Sequence, residues 1–161
     1  MLSLVEKVLA LKSASLFNQT PDNVLADIAQ RVEEINFDKG ELIFNKGDFG
    51  DTLYIIVSGT VQVWDGSRLL NELGEGDIFG ELALLDPAPR SASVKTTEPT
   101  HLLLLDAAHF RTILVERPEV PAAIIRVLTG YIRDNLRLTE NMNPSVKGAK
   151  ASPPPVDSAH E

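Results

Sequence analysis

Residues 53–67 read Leu53-Tyr54-Ile55-Ile56-Val57-Ser58-Gly59-Thr60-Val61-Gln62-Val63-Trp64-Asp65-Gly66-Ser67, and this stretch decides the fold class. An apolar run stops at Ser58-Gly59, a turn pair. It resumes as Val61-Gln62-Val63-Trp64, in which the side chains alternate as those of a half-buried strand do. Asp65-Gly66-Ser67 is a second turn. Strand, turn, strand, turn is the reading.

The same texture extends outward over residues 33–105. Eight of the ten glycines lie between Gly40 and Gly80, so turn chemistry recurs there at short intervals. Leu42-Ile43-Phe44, Leu69-Leu70 and His101-Leu102-Leu103-Leu104-Leu105 are further short apolar runs. Lys39-Gly40, Lys46-Gly47-Asp48 and Gly74-Glu75-Gly76-Asp77 separate them. Many short strands with turns at regular spacing predict an all-β sandwich or barrel.

Helical patterns flank this region. In residues 1–32, Leu2, Val5 and Leu9 share one helical face. A second helix is predicted with Thr20 as N-cap, Pro21 at the first position and Asp22 in the first turn, carrying Val24, Leu25, Ile28 and Val32. In residues 106–138, Asp106 is expected to cap a helix bearing Phe110, Ile113 and Leu114. Pro118 opens a longer helix with Ile124, Ile125, Val127, Leu128, Tyr131, Ile132 and Leu136. Its apolar band is wide, which predicts packing along much of its length, on the barrel or on a second copy of the chain. Residues 139–161 hold four prolines, three of them consecutive at Pro153-Pro154-Pro155, and are expected to be a disordered tail.

Composition narrows the function. A net charge of −8 repels phosphate backbones, so general nucleic-acid binding is not expected. No apolar stretch approaches the ~20 residues of a membrane span. The absence of cysteine excludes disulfides and fits a cytoplasmic setting. His101, His109 and His160 show no metal-ligand spacing. Asp48-Phe49-Gly50-Asp51 is too short for a calcium loop, and Gly74-Glu75-Gly76 lacks a third glycine, because Phe79 stands in its place. No nucleophile elbow, zinc-protease pattern or phosphate-loop lysine motif is present, so no catalytic residue is expected.

One segment interrupts the β pattern: Phe79-Gly80-Glu81-Leu82-Ala83-Leu84-Leu85-Asp86-Pro87-Ala88-Pro89-Arg90-Ser91-Ala92-Ser93-Val94. Gly80 opens a sharp turn and Glu81–Leu85 forms one helical turn whose free N–H groups suit an anion. Asp86-Pro87-Ala88-Pro89 ends that turn and returns Arg90 towards its start, which makes a compact phosphate site. A carboxylate at Glu81 would be repelled by the phosphate itself, but it can accept hydrogen bonds from neighbouring sugar hydroxyls. The chemistry suggests a phosphosugar. A structural ion pair between Glu81 and Arg90 is the plainer alternative.

Over residues 14–138 the sequence resembles the cyclic nucleotide-binding domain family. The segment above is similar to that family's phosphate-binding cassette. Lys39-Gly40, Gly47-Asp48-Phe49-Gly50-Asp51, Leu53-Tyr54-Ile55-Ile56, Ser58-Gly59 and Gly74–Glu81 are similar to its glycine framework. The resemblance implies a mainly β fold with flanking helices, a double-stranded β-helix (jelly-roll) barrel. Residues 1–32 would be its helical lead, 33–105 the barrel and 106–138 the hinge and lid helices. It implies cAMP or cGMP as ligand and no further cofactor or metal. Arg90 would pair with the cyclic phosphate and Glu81 would accept from the ribose 2′-hydroxyl. Backbone N–H groups near Gly80, Leu82 and Ala92 would assist. The Ser91 hydroxyl would reach the phosphate or a guanine amine, or else merely start a strand.

The lid helix offers Tyr131 and Arg133 towards the base. A core role for Tyr131 and a solvated one for Arg133 are the plainer readings, and Trp64 reads as barrel packing. The function expected is a regulatory module that reports ligand occupancy to an unidentified effector by moving its last helix. The alternatives are an interaction scaffold with a vestigial pocket, a DNA-binding regulator and an enzyme. A homodimer through the last helix is also compatible with its apolar band.

Overall fold

A computed structural model describes residues 1–142. The stretch that decides the fold contains two strands, β4 (Thr52–Ser58) and β5 (Val61–Asp65), but they are not partners. Gly59, at φ +99°, carries the chain from one sheet to the other. A Cβ there would lie 2.5 Å from Thr100 Oγ1 and 2.7 Å from the Pro99 carbonyl oxygen, so only glycine fits this corner. The hairpin proper follows it: β5 pairs antiparallel with β6 (Arg68–Leu73) across Gly66, at φ +61°.

The remaining strands are β1 (Glu33–Phe37), β2 (Leu42–Phe44), β3 (Phe49–Gly50), β7 (Ile78–Phe79), β8 (Ala88–Pro89), β9 (Ser93–Thr96) and β10 (Thr100–Asp106). They form one sheet ordered β1-β10-β4-β7, another ordered β2-β9-β5-β6, and a ribbon β3-β8, all antiparallel. This is the jelly roll expected, with flanking helices. Its sheets face each other and are not hydrogen-bonded into a closed barrel.

Burial explains why the strands read so differently in sequence. Between the sheets lie Phe44, Ile56, Val61, Val63, Phe79, Val94 and Leu102. The other face of the first sheet, with Leu53, Ile55, Leu103 and Leu105, is covered by helices. β4 and β10 are buried on both faces and are therefore continuously apolar, whereas β5 has one wet face and alternates. Trp64 stands on that outer face, half-buried beside Leu42 and Lys95. Its expected place in the barrel packing is corrected by register, since Val61 and Val63 take the inward positions.

The helices are α1 (Leu4–Ser13), a 3-10 turn at Ser15–Phe17, α2 (Asp22–Ala29), α3 (Glu81–Leu85), α4 (Ala107–Glu116) and α5 (Glu119–Met142). α1 is held by a capping box between Ser3 and Glu6. Of the predicted Leu2–Val5–Leu9 face, Val5 and Leu9 are exposed, and Leu11 is the residue that α1 buries. α2 begins one residue later than predicted. Pro21 is extended, and its carbonyl accepts from the N–H groups of Val24 and Leu25, so it stands at the N-cap. Thr20 is buried instead and its hydroxyl finds no hydrogen-bond partner.

Asp106 does cap α4, accepting from the His109 N–H at 2.8 Å. Arg117, at φ −128° and ψ 86°, breaks the chain between α4 and α5, so Pro118 lies in the joint rather than in the helix. α5 packs on the 3-10 turn and on α4, and its Val120 and Ile124 join the core formed by Phe17, Leu25 and Phe110. It runs to Met142, and the rest of the expected proline-rich tail lies outside the described residues.

Candidate functional site

β7 ends at Phe79, and the chain turns at Gly80 into α3. Gly80 has φ +85°, a conformation that suits glycine. A Cβ at Gly80 would lie 2.4 Å from the Thr52 carbonyl oxygen and 3.0 Å from Arg90 Nη1. The backbone thus approaches both β4 and the arginine more closely than any other residue allows. Glu81, the first residue of α3, is 3% exposed and Arg90 is 4% exposed. Two ionisable groups so fully withdrawn from water need dedicated partners.

Arg90 has such partners. Its N–H donates to the Asp48 carbonyl at 2.7 Å and its own carbonyl accepts from the Gly47 N–H at 2.7 Å, extending the β3–β8 ribbon. Nη2 donates to the Thr52 carbonyl at 3.0 Å. The guanidinium Cζ lies 4.2 Å from the centroid of the Phe44 ring, a cation–π distance. On another side it meets the bare backbone of Gly50, where a Cβ would fall 2.2 Å from Nε and 2.4 Å from Cζ.

An aromatic floor completes the site. Tyr54 and Phe79 stack at 4.9 Å with 12° between planes, and Phe44 lies 6.0 Å from each. Burial pushes the Tyr54 hydroxyl's pKa up; the Arg90 charge opposes that shift and Asp51 reinforces it. Ala92 is fully buried in the cluster that holds Phe44 and Phe79.

The structure brings Gly80, Glu81, Arg90 and Ala92 into one place. Leu82 lies within α3 beside them. Ser91 is exposed next to Arg90. Tyr131 is half-buried and Arg133 exposed, both on α5.

Sequence reasoning missed Gly50, Thr52, Phe44 and Tyr54 as parts of the arginine's housing. Gly50 carried the one usable signal, a glycine inside Asp48-Phe49-Gly50-Asp51 that no turn of its own requires. Among the described residues no group of three or more His, Cys, Asp or Glu side chains is placed to hold a metal. No helix among them is long and apolar enough to cross a membrane.

The fold and this site define a jelly-roll domain with a buried arginine and a buried glutamate beside a short helical turn that opens at Gly80. Residues 34–117 match the cyclic nucleotide-binding domain family, over half the chain, and the protein belongs to that family. It is similar to a CRP-like cAMP-activated global transcriptional regulator of Mycobacterium tuberculosis, 33% identical over 128 residues, 76% of this chain and 57% of that protein. The chain thus spans little more than half the length of that relative.

Among solved structures it is similar to the N-terminal domain of a transcriptional regulator from Streptomyces coelicolor. The TM-score is 0.73 and the identity 28%, covering 87% of this chain and 99% of that one. It is also similar to the regulatory domain of Toxoplasma gondii PKA in co-crystals with cAMP. There the TM-score is 0.70 and the identity 27%, covering 87% of this chain and 54% of that one.

Proposed function

We propose that this chain binds cAMP or cGMP in the pocket around Arg90 and works as a regulatory module rather than an enzyme. The observation that carries the reading is the housing of Arg90. A guanidinium 4% exposed is held by the Thr52 carbonyl, the Phe44 ring and the bare backbone of Gly50. Such a housing fixes the position and orientation of the cation before an anion arrives. In this reading Arg90 faces the cyclic phosphate, Glu81 accepts from the ribose 2′-hydroxyl, and the N–H groups near Gly80, Leu82 and Ala92 complete the cradle. The Ser91 hydroxyl is exposed beside the arginine and is the candidate for a contact that differs between ligands. Two relatives named for cAMP support the choice of ligand class.

The output runs through α4 and α5. Thr52 accepts from Arg90, and its neighbour Asp51 accepts through its carbonyl from the Ala107 N–H at the start of α4. α3 packs on α4, with Leu84 in the same core as Phe110 and Ile113. A ligand that tightens the cassette therefore acts on the helix preceding the Arg117–Pro118 joint. It shifts α5 only by as much as it prefers one position of the helix over the other. Tyr131 and Arg133 are then the residues that α5 presents to the base. The effector is a separate chain or a further part of this protein, and the site of action is the cytoplasm.

Hydrogen–deuterium exchange with and without saturating cAMP tests the output. Slower exchange over residues 118–138 supports it, and unchanged exchange with bound ligand refutes it. An alternative, the ligand-free scaffold, predicts no change anywhere and no binding.

A further inference from the structure

α5 carries a second face that the first does not explain. Ile125, Ile132 and Leu136 are 62%, 60% and 49% exposed, although the helix buries Val120, Ile124 and Val127 elsewhere. At ~100° per residue these three fall within about 20° of one line. Arg126, Arg133 and Arg137 follow each of them by one position and form a parallel basic line. Among the described residues none of these arginines makes an ion pair. In a chain of net charge −8, an exposed apolar stripe edged with three cations calls for an apolar and acidic partner.

The chain itself offers that surface. Val5 and Leu9 of α1 are 68% and 61% exposed, one helical turn apart. Leu9 lines a cleft of about 390 Å³ between α1 and the turn at Gly76, together with Leu2, Ile56 and Val57, and Glu6 and Glu75 edge it. The Glu6 carboxyl is held below the usual range, chiefly by the Ser3 N–H, so it stays an anion.

We propose that this cleft receives the distal half of α5 from a second copy of the chain. Leu136 lies on Leu9 and Ile132 on Val5, and Arg137 faces Glu75 and Glu6, the two carboxylates that edge the cleft. The exchange is reciprocal, each α5 on the other copy's α1, which closes a two-fold dimer. Pairing of α5 with α5 would cover the apolar stripe but leave both α1 patches and their carboxylates without a counterpart. The reciprocal arrangement covers all four surfaces with opposite charges opposed. It does not depend on the ligand reading.

The chain has no cysteine, so single thiols can be placed on each surface. The full chain carrying Leu9→Cys is mixed with the full chain carrying Leu136→Cys under mild oxidation, after each is shown to unfold at the parental temperature. A disulfide-linked heterodimer in the mixture, with neither variant linking to itself, supports the proposal. Leu136→Cys linking to itself identifies α5–α5 pairing and overturns it. No link at all, with a solution mass of 17.6 kDa at ~100 μM, a concentration at which even a weak micromolar dimer would form, also overturns it. Glu75→Lys should raise the dimer dissociation constant roughly 10-fold, since symmetry breaks the contact twice. Adding Arg137→Glu should restore it, and failure to restore overturns the proposed charge pairing.

Discussion

Gly50→Ala is the substitution that isolates the arginine's housing from its charge. Gly50 has an ordinary backbone conformation, so alanine brings no dihedral strain there. Its Cβ would arrive 2.2 Å from Arg90 Nε, 2.4 Å from Cζ and 2.7 Å from Cδ, all well inside the 3.4 Å at which ordinary contact begins. Phe44, on which the guanidinium lies at 4.2 Å, blocks one way of escape, and the Thr52 carbonyl at 3.0 Å fixes the tip. The guanidinium must leave both. A charge-assisted hydrogen bond contributes ~1.5–3 kcal/mol and a desolvated cation–π contact ~0.5–2 kcal/mol.

The substitution should therefore cost about 2–5 kcal/mol of stability by urea unfolding. It should also weaken cAMP binding by ~30-fold or more, since ~1.4 kcal/mol is a factor of ten. Gly40→Ala is the control. Gly40 has φ +78° and open space around it, so alanine there brings only dihedral strain of roughly 1–2 kcal/mol and leaves binding intact. Parental stability and affinity in Gly50→Ala would refute the close-packed housing of Arg90.

Three further outcomes are expected. Asp106→Ala removes the N-cap of α4, whose carboxylate accepts from His109 N–H at 2.8 Å; it should lose ~1 kcal/mol by urea unfolding, while Asp106→Asn should lose less. Arg117 pairs with Asp27 of α2 and with Glu119 at the start of α5, so Asp27→Asn should release the α4–α5 joint and raise hydrogen exchange over 118–138 without ligand. Unchanged exchange there would show that the pair does not hold the joint.

The Glu34 carboxyl is held below its ordinary value, first by the Leu2 N–H at 2.7 Å, with His101 and Lys7 adding to it. A depressed carboxylate contributes stability above its unfolded pKa and loses it as pH falls through the folded one. The parental protein should thus weaken more steeply than Glu34→Gln below about pH 4.5. Parallel pH profiles would contradict this.

The sheet architecture was legible because turn glycines and strand periodicity are local signals. Gly59 and Gly66 both read as turns, yet one makes a sheet-to-sheet corner and the other a hairpin. That distinction rests on the close approach of Thr100, which is distant in sequence. Glu81 and Arg90 were legible because one short segment carries both. Phe44, Gly50 and Thr52 were not, since they meet Arg90 only where β2, the β3–β8 ribbon and β4 come together. Trp64 and the Val5–Leu9 face misled for the same reason. An apolar residue at the right period does not say whether its face meets the core, and register decides that. The Thr20 cap failed locally, because the extended Pro21 takes the N-cap place that the hydroxyl was expected to fill.

The measurement that tests the central claim most directly is calorimetric titration of the chain with cAMP and with cGMP, set beside Arg90→Ala. Micromolar binding of at least one nucleotide, abolished by the substitution in a protein that still unfolds cooperatively, is the predicted result. Absence of binding of both, or binding that survives the loss of Arg90, would contradict the account.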